Sequence, residues 1–182
     1  MPRTLERLPN GLVLWQDDAY FKLGQDSVLL AAFARVRPRD RVLDLGCGTG
    51  ALSLLVYRPG LQITGLELQE GPLSLFRTSI AENDVPISTL QGDMRNIRQL
   101  IPHGSADHVI CNPPYGERLL DLRQAEELYR TMGKVFERKP GWSYTVISPD
   151  DTFEACFGRK ADKRRKLYNG MIKCQLYFYF KA

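Results

Sequence analysis

Residues 41–50 read RVLDLGCGTG. A short apolar strand, Val42, Leu43 and Leu45, runs into three glycines at alternate positions, Gly46, Gly48 and Gly50. The residues that follow, Ala51 to Tyr57, suit a short helix closed by Pro59-Gly60. Parallel α/β sheets make this sharp strand-to-helix turn where they open backbone to a ligand, and glycine is needed wherever a Cβ would meet the turn or the ligand. Alone, the loop specifies a ligand site without specifying the ligand.

The same rhythm continues along the chain. Leu61 to Leu68 reads as a second strand, Gly71 to Asn83 as an amphipathic helix with Leu73, Leu75, Phe76 and Ile80 at helical spacing, and Ile87 to Leu90 as a third strand. Met94 to Ile101 suits a short helix, and Asp107 to Cys111 a fourth strand that runs straight into Asn112-Pro113-Pro114-Tyr115. Beyond it come a longer helix, Leu122 to Glu137, a fifth strand, Tyr144 to Ile147, and a short helix, Asp150 to Phe157, begun by Ser148, Asp150 or Asp151. Two pairs of strand-like runs flank Asn-Gly dipeptides, at Asn10-Gly11 and Asn169-Gly170, and each predicts a hairpin with a two-residue loop. Before the glycine loop, Val28 to Val36 is an apolar helical run that Asp26 or Ser27 is placed to cap. The expected fold is therefore α/β: a Rossmann-like, doubly wound, mostly parallel seven-stranded sheet ending in an antiparallel hairpin, with a small N-terminal hairpin and helix.

With 182 residues the chain is read as one domain. It has no signal-like apolar run at its start, no stretch of membrane-spanning length, and four scattered cysteines (Cys47, Cys111, Cys156, Cys174) without paired spacing. These features predict a cytoplasmic protein with reduced thiols, no metal site and no membrane association. The net charge of +4 is unevenly placed: residues 1–112 hold 11 Lys/Arg and 12 Asp/Glu, whereas residues 113–182 hold 14 and 9. The excess is densest at Arg159, Lys160, Lys163, Arg164, Arg165 and Lys166. Such a run attracts phosphate; it also suits an edge strand guarded by charge against aggregation.

Ligands of doubly wound sheets bind at the carboxyl ends of the strands, where strand order reverses. Four strand ends are marked here: the glycine loop, Glu67, Asp93 and Asn112. Glu67 follows Gly46 by 21 residues, the spacing of an acid that accepts from ribose hydroxyls. Asp93, ending the third strand, is placed to accept from an adenine amino group. An adenosine-bearing cofactor fits, although the spacing also admits a nicotinamide dinucleotide. Against the dinucleotide, the glycines run G-x-G-x-G, the helix start at Thr49-Gly50 suits a carboxylate as well as a phosphate, and Asn-Pro-Pro-Tyr has no use in hydride transfer.

Two consecutive prolines hold the backbone extended. The amide oxygen of Asn112 and the carbonyl of Pro113 then become acceptors beside the cofactor, and Tyr115 offers a flat stacking surface. An exocyclic base amine is a poor nucleophile because its lone pair is delocalised into the ring. Two acceptors on its hydrogens localise that pair, so positioning and fixed dipoles suffice without a strong base. A base in a helix or stacked loop must first leave its stack.

Taken together, VLDLGCGTG (42–50), Glu67, Asp93 and NPPY (112–115) resemble the S-adenosylmethionine-dependent class I methyltransferases, and NPPY resembles the signature of those acting on adenine N6, guanine N2 or glutamine amide. The resemblance implies that Asp44, Gly46 and Gly48 line the methionine end of S-adenosyl-L-methionine, Glu67 its ribose and Asp93 its adenine. Gln25, Asp26, Cys47, Leu68, Met94 and Asn112 complete the candidate cofactor set. Asn112, Pro113, Pro114 and Tyr115 form the catalytic set.

Finer matching gives two likenesses. Residues 8–115, including FKLGQDSVLLAAF (21–33), resemble bacterial tRNA adenine-N6 methyltransferases. Residues 113–182, including GRKADKRRKLYNGMIKC (158–174), resemble the catalytic domain of 23S rRNA guanine-N2 methyltransferases, which usually read DPFCGSGT at the glycine loop. A recombined or engineered chain, joined near NPPY, and an unusual natural relative are both consistent with this. The expected layout is a single methyltransferase domain: a hairpin and helix at 1–40, a cofactor-binding half at 41–115, and a second half at 116–182 carrying the basic hairpin. The expected activity is methylation of an exocyclic amine in tRNA or rRNA, with the basic run at 159–166 against the RNA. The competing expectations are a cofactor-binding scaffold without turnover and a glutamine-amide methyltransferase of proteins.

Overall fold

A computed structural model describes residues 3–102, 104–114, 122–136 and 141–180. Its centre is a seven-stranded sheet with β3 (Arg41–Leu45), β4 (Gln62–Glu67), β5 (Ile87–Gln91), β6 (His108–Cys111), β7 (Ser143–Ser148), β8 (Lys163–Asn169) and β9 (Ile172–Tyr179) in the order β5-β4-β3-β6-β7-β9-β8. β5, β4, β3, β6 and β7 are parallel neighbours, and β9 pairs antiparallel with both β7 and β8. Strand order reverses between β3 and β6, and this switch point puts the ends of those two strands side by side. β1 (Arg3–Arg7) and β2 (Val13–Asp17) form a separate antiparallel hairpin.

Helices cover both faces. α1 (Gln25–Phe33), α2 (Ala51–Val56) and α3 (Glu70–Asn83) pack with Val42, Ile63, Ile87 and Ile110; α4 (Ile97–Leu100), α5 (Leu122–Phe136) and α6 (Phe153–Phe157) pack with Leu43, Leu45, Val109, Cys111 and Val146. Successive residues of a strand thus feed opposite cores, which is why the central strands read as continuous apolar runs. The N-terminal hairpin is tied to α3 through buried polar contacts. Asn83 Oδ1 accepts from Val13 N at 2.8 Å while its Nδ2 donates to Val13 O at 2.7 Å, and Trp15 N donates to Ser79 Oγ at 2.9 Å.

Four local expectations shift. The first hairpin turns through residues 8–12 instead of two residues: Leu8 is buried, its N–H donates to Leu12 O at 2.7 Å, and Asn10 Nδ2 reaches Leu54 O at 2.8 Å. In the second, Asn169 pairs with Ile172, so Gly170 and Met171 make the turn. Gly170 has φ +60 and Met171 keeps an ordinary negative φ, the arrangement of a glycine-first hairpin turn. α1 starts at Gln25, with Gly24 in the capping position and no side-chain cap, so Asp26 and Ser27 lie inside its first turn. α6 starts at Phe153, later than expected, because Asp150 Oδ1 accepts from Thr152 N and Oγ1 in a preceding turn.

Candidate active site

The carboxyl ends of β3, β4 and β6 open into a cavity of about 750 Å³, reached also by the segment 19–23, by the start of α1 and by α5. Its floor is the glycine loop. Gly46, Gly48 and Gly50 all have positive φ (+71, +55 and +85), which L side chains rarely adopt. A Cβ on Gly50 would lie 1.9 Å from Phe76 Cδ2, so glycine here lets the loop seat on α3. The loop is held to β4 by Gly46 N and Cys47 N, which donate to Leu66 O at 2.8 and 3.1 Å.

Glu67 completes that hold from the end of β4. Its Oε2 accepts from Gly48 N and its Oε1 from Gln69 N, each at 2.9 Å. One donor per carboxylate oxygen leaves lone pairs for a diol. Asp44, at the end of β3, is 1% exposed. Burial pushes its carboxyl up to about 7, opposed by the 2.7 Å hydrogen bond from Ser53 Oγ and reinforced by the nearby Glu67 charge. A buried carboxylate of raised pKa is a ready partner for a cation. Burial likewise pushes the Cys47 and Cys111 thiols up, which keeps them neutral.

Asp93 caps the short 3₁₀ turn Met94–Asn96, and Arg95 occupies it closely. Arg95 N and Nε donate to Oδ1 at 2.9 Å, and Nε also lies 2.8 Å from Oδ2. These contacts hold the carboxyl below its usual range. Asp93 and Met94 line the cavity, and Met94 Cε stands 3.0 Å from where a Gly46 Cβ would be.

Asn112 ends the β6 side. Its Nδ2 donates to Ser27 Oγ at 3.3 Å, and its Oδ1 is buried with no hydrogen-bond partner among the described residues. Buried polar atoms in folded proteins are nearly always paired, so an unpaired acceptor in a cavity marks a place for a donor. Pro113 and Pro114 line the same cavity; Tyr115 lies outside the described residues.

Asp26, Asp44, Gly46, Cys47, Gly48, Glu67, Leu68, Asp93, Met94 and Asn112 therefore come together. Gln25 does not: it is exposed and absent from the lining. Tyr20, Leu23, Ser27, Gln124 and Thr131 line the cavity although the sequence assigns none of them to the site. The basic run lies away from it and is partly neutralised. Arg159 pairs with Asp162 and Arg164 with Glu154, while Arg165 sits over Phe33. Among the described residues no group of three or more His, Cys, Asp and Glu could hold a metal, and no helix is long and apolar enough to cross a membrane.

The sequence profile of the RMKL-like methyltransferase domain matches residues 73–177 and runs through 113–115, where the two finer likenesses meet. Among curated proteins, the "Putative RNA methyltransferase YpsC" of Bacillus subtilis is 34% identical over 120 residues, 60% of this chain and 31% of that protein. The ribosomal RNA large subunit methyltransferase K/L of Shewanella sp. is 28% identical over 128 residues, 70% of this chain and 18% of that protein. The chain thus spans about a third or less of these relatives. Among solved structures, "SMU.472, a putative methyltransferase complexed with SAH" superposes with TM-score 0.72 at 26% identity, covering 86% of this chain and 52% of that one.

Proposed function

Because the chain belongs to the RMKL-like methyltransferase domain family, we propose that it moves a methyl group from S-adenosylmethionine to an exocyclic amine of an RNA base, adenine N6 or guanine N2. The observation that carries this reading is the buried Oδ1 of Asn112, without a partner among the described residues, in the same cavity as the glycine loop. The chemistry of the donors fits the cofactor. Asp44 would take its cationic methionine end, the open backbone at Gly46 and Gly48 would let it approach, Glu67 would accept from the ribose hydroxyls, and Asp93 stands nearest the adenine role. The cofactor supplies an electrophilic methyl group when bound.

The rest of the work falls to the chain's own residues. Asn112 Oδ1 and the Pro113 carbonyl accept from the two hydrogens of the target amine, hold it in the plane that exposes its lone pair, and localise that pair. Two prolines fix the acceptors before substrate arrives, so no reorganisation is needed in the transition state. No general base of raised affinity is required, because the proton leaves for solvent once the nitrogen is alkylated. The RNA class is supported by the names of the relatives and by the cationic hairpin at 163–173, which a glutamine-amide substrate does not call for.

Incubation with labelled S-adenosylmethionine and total tRNA or rRNA, followed by nucleoside mass spectrometry, tests the proposal. The expected product is N6-methyladenosine or N2-methylguanosine. Asn112→Ala should lower the rate about 100-fold or more, as loss of one preorganised polar contact does elsewhere. A variant that keeps the wild-type rate refutes the assignment, and cofactor binding without any labelled RNA favours the scaffold reading.

A further inference from the structure

We propose that the tip of the β8–β9 hairpin is a stacking platform, Tyr168 flanked by Lys166 and Lys173, for an unpaired nucleotide beside the target base. The inference rests on the RNA reading above and adds a surface to it.

The placement follows from strand direction and register. β8 is antiparallel to β9, which is antiparallel to β7, so the carboxyl end of β8 stands at the same edge of the sheet as the cavity. β7 ends at Ser148, opposite Gln175, whereas β9 begins at Ile172 opposite Asn169. The hairpin therefore overhangs β7 by three residues, about 10 Å at the rise of a strand. Three strand steps separate β8 from β6, which carries Asn112 at its end, or about 14 Å across the sheet. That is the neighbourhood of nucleotides flanking a base held at Asn112.

The side chains at the tip suit single-stranded RNA. Tyr168 is 55% exposed, and Met171 at the turn is fully exposed. Lys166 and Tyr168 alternate with Leu167, which packs towards the α1 side, so both occupy the opposite face, and Lys166 Nζ lies 5.1 Å from the Tyr168 ring centroid. Lys173 is the direct cross-strand partner of Tyr168, and its Nζ is held by Asp151 at 2.9 Å. Residues 163–180 contain no Asp or Glu. An exposed ring next to a cation such as Lys166 is the recurring arrangement for sequence-tolerant stacking of bases, and Lys173 would have to exchange Asp151 for a phosphate to add to it. Protection of an edge strand explains the charges at 163–166 and does not explain exposing Tyr168 and Met171 beyond them.

The test is fluorescence anisotropy with a labelled single-stranded RNA of about twelve nucleotides, in parallel with methylation of total RNA. Tyr168→Phe should bind like wild type. Tyr168→Ala and Tyr168→Leu should weaken RNA binding about tenfold, with affinity for S-adenosylmethionine unchanged. The leucine variant keeps a strand-compatible apolar side chain should alanine perturb the hairpin. Lys166→Gln should weaken binding and reduce the salt dependence by about one ion. Wild-type affinity in both Tyr168→Leu and Tyr168→Ala overturns the platform while leaving the methyltransferase reading intact. If the wild type itself neither binds nor methylates RNA, and a protein substrate accepts the label instead, the RNA reading falls and the platform with it.

Discussion

Asp44→Asn isolates the most unusual electrostatic feature of the site. The carboxyl is 1% exposed and pushed up from 3.8 to about 7, mainly by burial. Three pH units at about 1.4 kcal/mol each amount to about 4 kcal/mol of folding stability. The sign follows from which state binds the proton. Below the unfolded value both states are protonated and nothing is lost. As pH rises from about 4 to about 7, the unfolded chain ionises first, so the folded state loses stability over that window and stays lower above it. Asparagine keeps the acceptor for Ser53 Oγ and cannot ionise. Its amide has one more donor to satisfy, which adds a constant offset without a slope. Between about pH 5 and pH 8 the wild type should therefore lose roughly 2–3 kcal/mol relative to Asp44→Asn. Urea unfolding followed by circular dichroism at several pH values, with similar m-values for the two chains, measures this. Parallel stability curves refute the argument, because they mean that Asp44 titrates normally and the site is wetter than its geometry implies. Calorimetry in buffers of different ionisation enthalpy gives a second readout. If Asp44 meets the cofactor's cationic end, binding at pH 7 should release about half a proton in the wild type and none in Asp44→Asn.

Two further perturbations test separate links. Ser27→Ala removes the acceptor for Asn112 Nδ2. It should lower kcat about tenfold by freeing the carboxamide, with cofactor affinity unchanged and activity restored by Ser27→Thr; an unaltered kcat refutes the positioning role. Gly50→Ala forces a side chain into a left-handed conformation 1.9 Å from Phe76 Cδ2. It should cost about 2–5 kcal/mol in chemical denaturation, and a loss below about 0.5 kcal/mol means that the loop does not seat on α3 as described.

The sheet was legible because its central strands are buried on both faces and so read as short unbroken apolar runs between glycines and prolines. Glu67, Asp93 and Asn112 were legible for a related reason: a polar residue that ends such a run falls at the carboxyl edge, where the cavity lies, whereas Asp44, inside its run, was marked only by the family resemblance. What escaped were contacts off the strand axis, one long-range and one local. Ser27 reads as a helix cap from its neighbours alone, yet its hydroxyl is taken by Asn112, 85 residues on, and no periodicity records that contact. Arg95 occupies the Asp93 carboxylate from two residues away, a local contact that the strand-end argument passes over because it looks along the sheet. The Asn169-Gly170 pair has the composition of a two-residue turn, but the inward side chains Leu167, Cys174 and Leu176 set the register, and the turn moves to Gly170-Met171.

Two features of the cavity depart from ordinary folding, the Asn112 Oδ1 without a partner among the described residues and the buried Asp44 of raised pKa, and they share one physical meaning. Each costs stability in the free chain, and each would be relieved by a complementary ligand group in the cavity they both line, a hydrogen-bond donor for Asn112 and a cation for Asp44. Local rules of folding fail where function requires a preorganised environment. Here they fail within one cavity, at Asp44 on β3 and at Asn112 just beyond β6, the adjacent strands where the sheet reverses its order. A tight turn alone accounts for the glycines. It does not account for a buried acceptor and a buried carboxylate of raised pKa lining the same cavity, and that pairing is what the proposed methyl transfer would use.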